Sequence, residues 1–325
     1  MFARRFFLLF VVLLASMVFA LVTGSIEISA GDLLGTLLGG GDPLQQRVIW
    51  ELRLPRVASA FTVGALLALA GVLMQVLLRN PLAEPYILGV SGGAAAGALL
   101  ALMAGMAGVW VSGSSLLGAL ISMLLVFALA HGRGDWQPLR LLLTGVVVAA
   151  GWGALISFLL AISPDQSLRG MLFWLMGDLS QVRFTAMPLL VLIAGTVLAM
   201  MLGRQLNLLQ RGDLEAAALG VSITRLRIVL YLLGAVLTAT AVMQAGTIGF
   251  VGLVIPHLMR IWLGTDHRVL LPASVLAGGS LVVLADTLAR SLLAPQQLPV
   301  GVLTAFIGVP VFLFLMQRQA GVQRP

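Results

Sequence analysis

The chain has 325 residues, of which 60% are apolar and only 10% charged. A soluble domain carries about 25% charged residues, so a surface exposed to water on all sides is excluded and the composition indicates a membrane protein. The net charge of +7 rests on arginine alone, set singly between apolar runs without interleaved aromatics, which argues against a nucleic-acid surface.

Several chemistries are excluded by what the sequence lacks. There are no cysteines, so disulfides, thiol catalysis and Cys-ligated metal are absent. Lysine is also missing, which rules out a P-loop; any energy from ATP must enter through another chain. His131, His257 and His267 fall at or near helix ends in no ligand spacing, so no metal site and no catalytic group is expected. No cofactor is expected either.

The N-terminus pairs Arg4 and Arg5 with an apolar run from Phe6 to Val22. That run exceeds the roughly 7–15 residues of a signal-peptide core, so it reads as a retained first span. A spanning helix needs about 20 mostly apolar residues. Ten segments qualify: 6–23, 57–78, 90–109, 114–131, 139–162, 186–203, 226–245, 248–263, 271–289 and 299–317. The expected fold is an all-α integral membrane protein of about ten transmembrane helices in one domain, 1–325. Glycine and proline interrupt the edges of the third and eighth segments.

An even number of spans puts both termini on one side. One side then holds Arg4, Arg5, Arg79, Arg133, Arg140, Arg204, Arg211, Arg225, Arg227, Arg260, Arg268, Arg318 and Arg324; the other holds Arg47, Arg53, Arg56, Arg169, Arg183 and Arg290. The richer side should be cytoplasmic. The 37 glycines suit close helix contacts in lipid, where no hydrophobic effect drives helices together. Gly64–Ala68 and Gly234–Thr238 echo each other on oppositely running spans, as an inverted repeat would.

Ionisable residues are scarce at mid-span, which disfavours an ion-coupled secondary transporter. Asp286 comes nearest and reads as a partner for Arg290, one helical turn on. In Arg79–Val90, Pro81 and Pro85 force an irregular turn, either an ordinary loop or part of a pathway gate. The stretch 204–227 is the longest polar one on the arginine-rich side. Within it Asp213–Gly220 reads as a short helix with Asp213 and Glu215 in the first turn and Gly220 as its stop. It is either a solvated linker or a handle for a cytoplasmic partner. Arg53 and Arg56 flank Pro55; with Arg290 they either anchor to lipid phosphate or pair with carboxylates of a docked protein.

Five stretches carry a resemblance to a known family: Leu52–Arg56, Asn80–Pro85 with Leu88–Ser91, Gly249–His257, Thr265–Pro272 and Leu298–Thr304. In this order and spacing they resemble the ten-span permeases of bacterial importers for iron-siderophores, haem and vitamin B12. The resemblance implies a type II ABC importer permease-like bundle in the bacterial cytoplasmic (inner) membrane. Implied partners are a second copy of the chain, a cytoplasmic ATPase pair and a periplasmic substrate-binding protein. Implied roles follow the motifs. Asp213, Leu214, Glu215, Ala216, Ala217, Leu219, Gly220 and Arg225 couple to the ATPase. Arg53, Arg56 and Arg290 dock the binding protein. Asn80, Pro81 and Leu82 line the inner mouth, with Pro138 and Leu139 at the inner gate. At Pro138 and Leu139 the chain lacks the small hydroxyl residues of the vitamin B12 permease, while Thr265–Pro272 looks very like that protein. The expected cargo is an iron chelate, a ferric siderophore, with cobalamin and haem as alternatives.

Overall fold

In lipid the backbone has no water to bond to, so long apolar runs must satisfy their amides internally and become helices. A computed structural model describes residues 2–24, 26, 28–40, 42–130, 137–180, 182 and 184–322. His131, Arg133, Arg183 and Arg324 lie outside the described residues. Among those described there is no strand.

Helix α1 (Phe2–Val22) is followed by short helices α2 (Ala30–Leu37) and α3 (Pro43–Arg47). A π-helical turn, Val48–Arg53, carries α3 into α4 (Leu54–Leu77). A single 3-10 turn, Pro85–Leu88, precedes α5 (Val90–Met103); α6 (Val109–Ala130), α7 (Pro138–Ile162) and α8 (Asp165–Leu175) come next. Helix α9 (Ala186–Met201) bends by 58° into α10 (Gly203–Arg211). Then come α11 (Asp213–Ala218), α12 (Ile223–Ala245), α13 (Val251–Leu263), α14 (His267–Ser291) and α15 (Val300–Val322).

The expected count of ten spans is an approximation. Seven described runs are long and apolar enough to cross a membrane: α1, α3–α4 together, α6, α7, α12, α14 and α15. The bent α9–α10 pair makes an eighth. The remaining two apolar helices, α5 and α13, have only 14 and 13 residues. At 1.5 Å per residue they are about 20 Å long, short of a hydrocarbon core of about 30 Å. Local backbone explains both. Gly105 and Gly108 take positive φ after α5, and Gly246 (φ 67°) with Phe250 (φ 68°) breaks the chain before α13.

Helix α4 is the axis of the bundle, and nearly every residue from Val57 to Leu77 is buried. Its neighbours approach through glycine. A Cβ on Gly71 would lie 2.0 Å from the Gly252 carbonyl oxygen of α13, and one on Gly64 would lie 2.2 Å from the Gly278 carbonyl oxygen of α14. Close backbone contact replaces the missing hydrophobic drive with dispersion. The two echoed segments meet different surroundings: Gly64 packs on helix backbone, Gly234 on the Met74 side chain.

The lengths of the helices place the polar groups at two ends. Arg56 opens α4 and reaches Gln297, just before α15, whereas Arg79 follows the far end of α4. Arg5 donates to the Trp262 carbonyl at the end of α13, which lies near α10. The start of α1 therefore lies at the end that carries α10 and α11.

Replacing Gly71 with Ala should lower the melting temperature of the detergent-purified chain, by an overpacking cost of about 1–3 kcal/mol. Gly113→Ala, where a Cβ meets nothing within 4 Å, should be neutral or stabilising. Equal melting temperatures for the two variants would contradict the close α4–α13 crossing.

Candidate coupling, gating and docking sites

At the α10–α11 end, one carboxylate ties three elements together. Asp213 begins α11 and accepts from Arg227 of α12 at 2.8 and 2.9 Å. It also accepts from Arg79, at the foot of α4. The Arg227 side chain is only 8% exposed, so this pairing neutralises a charge held away from water. Arg79 takes an unusual positive φ of 49° in making the turn. These partners lie 134 and 14 residues from Asp213, and no spacing rule on a single helix predicts them.

Helix α11 turns apolar side chains outward. Leu214 is 89% exposed and Leu219 64%, while Ala216 is buried against the bundle. Glu215 and Ala217 are exposed. The Val221 amide donates to the Ala216 carbonyl, and Gly220 ends the helix at φ 83°. Both leucines project from a polar segment. Arg225 is exposed one turn further on.

The irregular loop after α4 is held from several directions. Asn80 closes it locally: its side-chain oxygen accepts from the Leu82 amide at 2.9 Å. Glu84 accepts from the Phe250 amide at 2.9 Å, and the Tyr86 hydroxyl both donates to the Ile248 carbonyl and accepts from the Ile248 amide, each at 3.0 Å. Ser122 of α6 donates to the Gly89 carbonyl at 2.7 Å and accepts from Trp152 at 2.8 Å. The loop before α5 therefore supplies the partners for the break before α13. The sequence offered Glu84 only as a member of a motif and gave Tyr86 no role, because their partners lie more than 160 residues away.

Pro81 is exposed and borders a cavity of about 470 Å³ with Gln75, Arg79, Arg211, Gly212 and Arg260. Leu82 is partly exposed beside it. Pro138 opens α7, where its missing amide costs nothing, and Leu139 is 64% exposed. Helix α7 meets the loop two turns further in, at Gly145 against the Ile87 carbonyl. Within one chain Pro138 and Leu139 face outward. Asp266 caps α14; hydrogen bonds from Asn207 and the Arg268 amide hold its carboxyl below the usual range.

At the opposite end the arginines are engaged internally, which corrects two sequence expectations. Asp286 does not pair with Arg290. It takes a forked contact from Arg56 at 2.8, 2.9 and 3.2 Å, and Arg290 instead donates to the Ala20 carbonyl. Spacing along α14 favoured Arg290, but the planar guanidinium of Arg56 meets the carboxylate across the α4–α14 crossing. Arg53 is not an exposed residue of the rim either. It is 5% exposed and donates to the carbonyls of Leu21, Val22 and Ile26, closing the end of α1. Arg56 and Arg290 keep partial exposure.

Known proteins resemble this chain in sequence and in fold. The FecCD transport family matches residues 12–318. The hemin transport system permease HmuU of Yersinia pestis is 43% identical over 279 residues, covering 83% of this chain and 84% of that protein. The cobalamin import system permease BtuC of Halobacterium salinarum is 41% identical, over 84% of this chain and 74% of that protein. A solved metal-chelate-type ABC transporter in an inward-facing conformation superposes with a TM-score of 0.88 at 35% identity, covering 97% of this chain and 99% of that one. Matched along nearly its whole length in sequence and in fold, the chain belongs to the FecCD transport family and is a multi-span permease of ABC importers.

Proposed function

We propose that two copies of this chain form the conduit of an importer that carries an iron chelate into the cell, driven by a separate ATPase pair. The carrying observation is the Asp213 hub, which joins the outward-facing helix α11 to both α12 and the foot of α4. A push on Leu214 and Leu219 from a docked ATPase would pass through Asp213 to Arg79 and so to the Asn80–Leu82 mouth. The arginine excess at this end supports a cytoplasmic orientation, with both termini inside. Helices α7 and α15 leave large apolar side chains such as Val147 and Phe306 uncovered, at 71% and 75% exposure. Such faces suit a second copy, with the pathway between them and Pro138 and Leu139 at its inner gate.

On the outer side, a periplasmic binding protein would present carboxylates to Arg56 and Arg290, with Arg53 bracing the rim from behind. A ferric siderophore is the first expected cargo. Haem is the second reading, favoured by the 43% identity to the hemin permease. Bulky cargo needs a wall that binds weakly enough to release it, and the scarcity of mid-span charge supports such a wall. Uptake of labelled ferric siderophore, haem and cobalamin should be compared in cells with and without this gene alone. Loss of ferric-siderophore uptake is expected; loss confined to haem would assign the second reading, and loss confined to cobalamin would refute an iron cargo.

Asp213→Asn should weaken coupling by about 1–2 kcal/mol, a five- to thirtyfold fall in uptake per ATP hydrolysed. Asp213→Glu should recover part of it. Unaltered coupling in reconstituted vesicles would remove Asp213 from the force path.

Arg56→Gln should reduce affinity for the binding protein by about 1–3 kcal/mol and flatten its salt dependence. Wild-type affinity at low salt would exclude Arg56 from docking.

A further inference from the structure

Helix α10 buries Leu206 and Leu209 in the bundle. Gly203 and Asn207, one turn apart, both meet the start of α14. A Cβ on Gly203 would lie 3.2 Å from the Arg268 side chain. Asn207 makes three hydrogen bonds there. Its side-chain oxygen accepts from the His267 amide at 2.9 Å and lies 2.7 Å from His267 Nδ1. Its nitrogen donates to the Asp266 carboxylate at 2.8 Å. The network fixes the orientation of the amide. A carboxylate only accepts, so the nitrogen faces Asp266 and the oxygen faces His267, whose Nδ1 therefore carries the hydrogen. His267 is fully buried, so Asn207 supplies the acceptor that its amide and ring need away from water.

The setting of this tie gives it a mechanical consequence. Pro272, inside α14, lacks an amide hydrogen, so the Arg268 carbonyl loses its helical donor and the first turn is held to the rest by fewer bonds. Asn207 fixes that turn from outside. Helix α14 has 25 residues, about 38 Å. It crosses α4 backbone to backbone at Gly278 and Gly64, and near its far end Asp286 holds Arg56. Two long helices are thus gripped by separate arms: α11 reaches α4 through Asp213 and Arg79, and α10 reaches α14 through Asn207. Gly212 alone joins the arms, at φ 147° and ψ 154°, a backbone conformation suited to glycine, and a Cβ there would meet nothing within 4 Å. The arms can therefore swing relative to each other without repacking the link.

We propose that Asn207 is a positioning residue that makes α14 a second strut beside α4, so that the two arms together set the load on the Arg56–Asp286 fork, about 30 Å along α14. When the arms move as one, α4 and α14 travel as a pair and the fork is unchanged. When they swing about Gly212, α14 slides along α4. The fork then shifts, which changes how much of the Arg56 guanidinium faces a docked carboxylate. The state of the ATPase pair is thereby felt at the outer docking surface. This inference rests on the transport reading above.

The test uses the full chain in lipid nanodiscs with its ATPase pair and binding protein. Affinity for the binding protein is measured with and without ATP, and the ratio of the two reads the transmission. Asn207→Leu removes the acceptor of two buried His267 donors and should bring that ratio about fivefold closer to one, the effect of about one hydrogen bond on an equilibrium. Asn207→Asp keeps that acceptor and should retain most of the wild-type ratio. Asn207→Ser, too short to reach both partners, should also lower the ratio and serves if the leucine variant fails to fold. A lower melting temperature with an unchanged ratio would overturn the proposal and reduce Asn207 to an anchor. Equal loss in Asn207→Asp would overturn it too, since the acceptor for His267 would then not be what transmits. A wild-type ratio of one would do the same. ATP-driven uptake by the same wild-type complex is measured alongside: uptake with a ratio of one removes only the strut, whereas no uptake removes the transport reading with it.

Discussion

Every amide and carbonyl of a bilayer-embedded chain needs a partner within the protein, and among the breaks in the helical ladder are those before α5 and before α13. The two breaks answer each other. Glu84 and Tyr86, from the first break, satisfy Ile248 and Phe250 of the second. Gly252 then packs against Pro85 so closely that any side chain there would collide with the ring. Because the breaks are mutually satisfied, α5 and α13 are free to be short. The irregular backbone between them is positioned rather than loose.

From that pairing follows the role of α4. The helix runs between the two broken segments, with glycine contacts to α13 and α14, and it carries opposite polar devices at its ends. At one end Arg56 is forked to Asp286 of α14. At the other, Arg79 meets Asp213 of α11. A rigid helix of 24 residues, about 36 Å long, thus links the surface suited to a binding protein with the surface suited to an ATPase. Packed interiors switch between discrete arrangements rather than stretching, so under the proposed function α4 would carry displacement from one end to the other.

The same arginine chemistry serves different purposes by depth. Arg53 saturates backbone carbonyls and Arg56 an intramembrane carboxylate, and Arg227 is neutralised by Asp213. Removing the partner of a buried charge costs far more than removing that of an exposed one. The internal pairs therefore hold the helix crossings together, while Arg56 remains partly exposed.

The amino-acid sequence alone determined the solvent, the helical class, the arginine asymmetry and, through five ordered motifs, the family. These are local properties: apolar run length, proline and glycine placement, and the stop at Gly220 are all set within a few residues. Only the tertiary structure decided who pairs with whom. Asp286 had a plausible partner one turn away in Arg290, yet the crossing of α4 and α14 gave it Arg56. Arg53 looked exposed beside Pro55, yet the turn after α1 folded three carbonyls onto it. The Asp213 hub and the Glu84–Tyr86 clamp join residues far apart in the chain. Side-chain partners across helix crossings depend on the angle and depth of packing, which no period along one helix encodes.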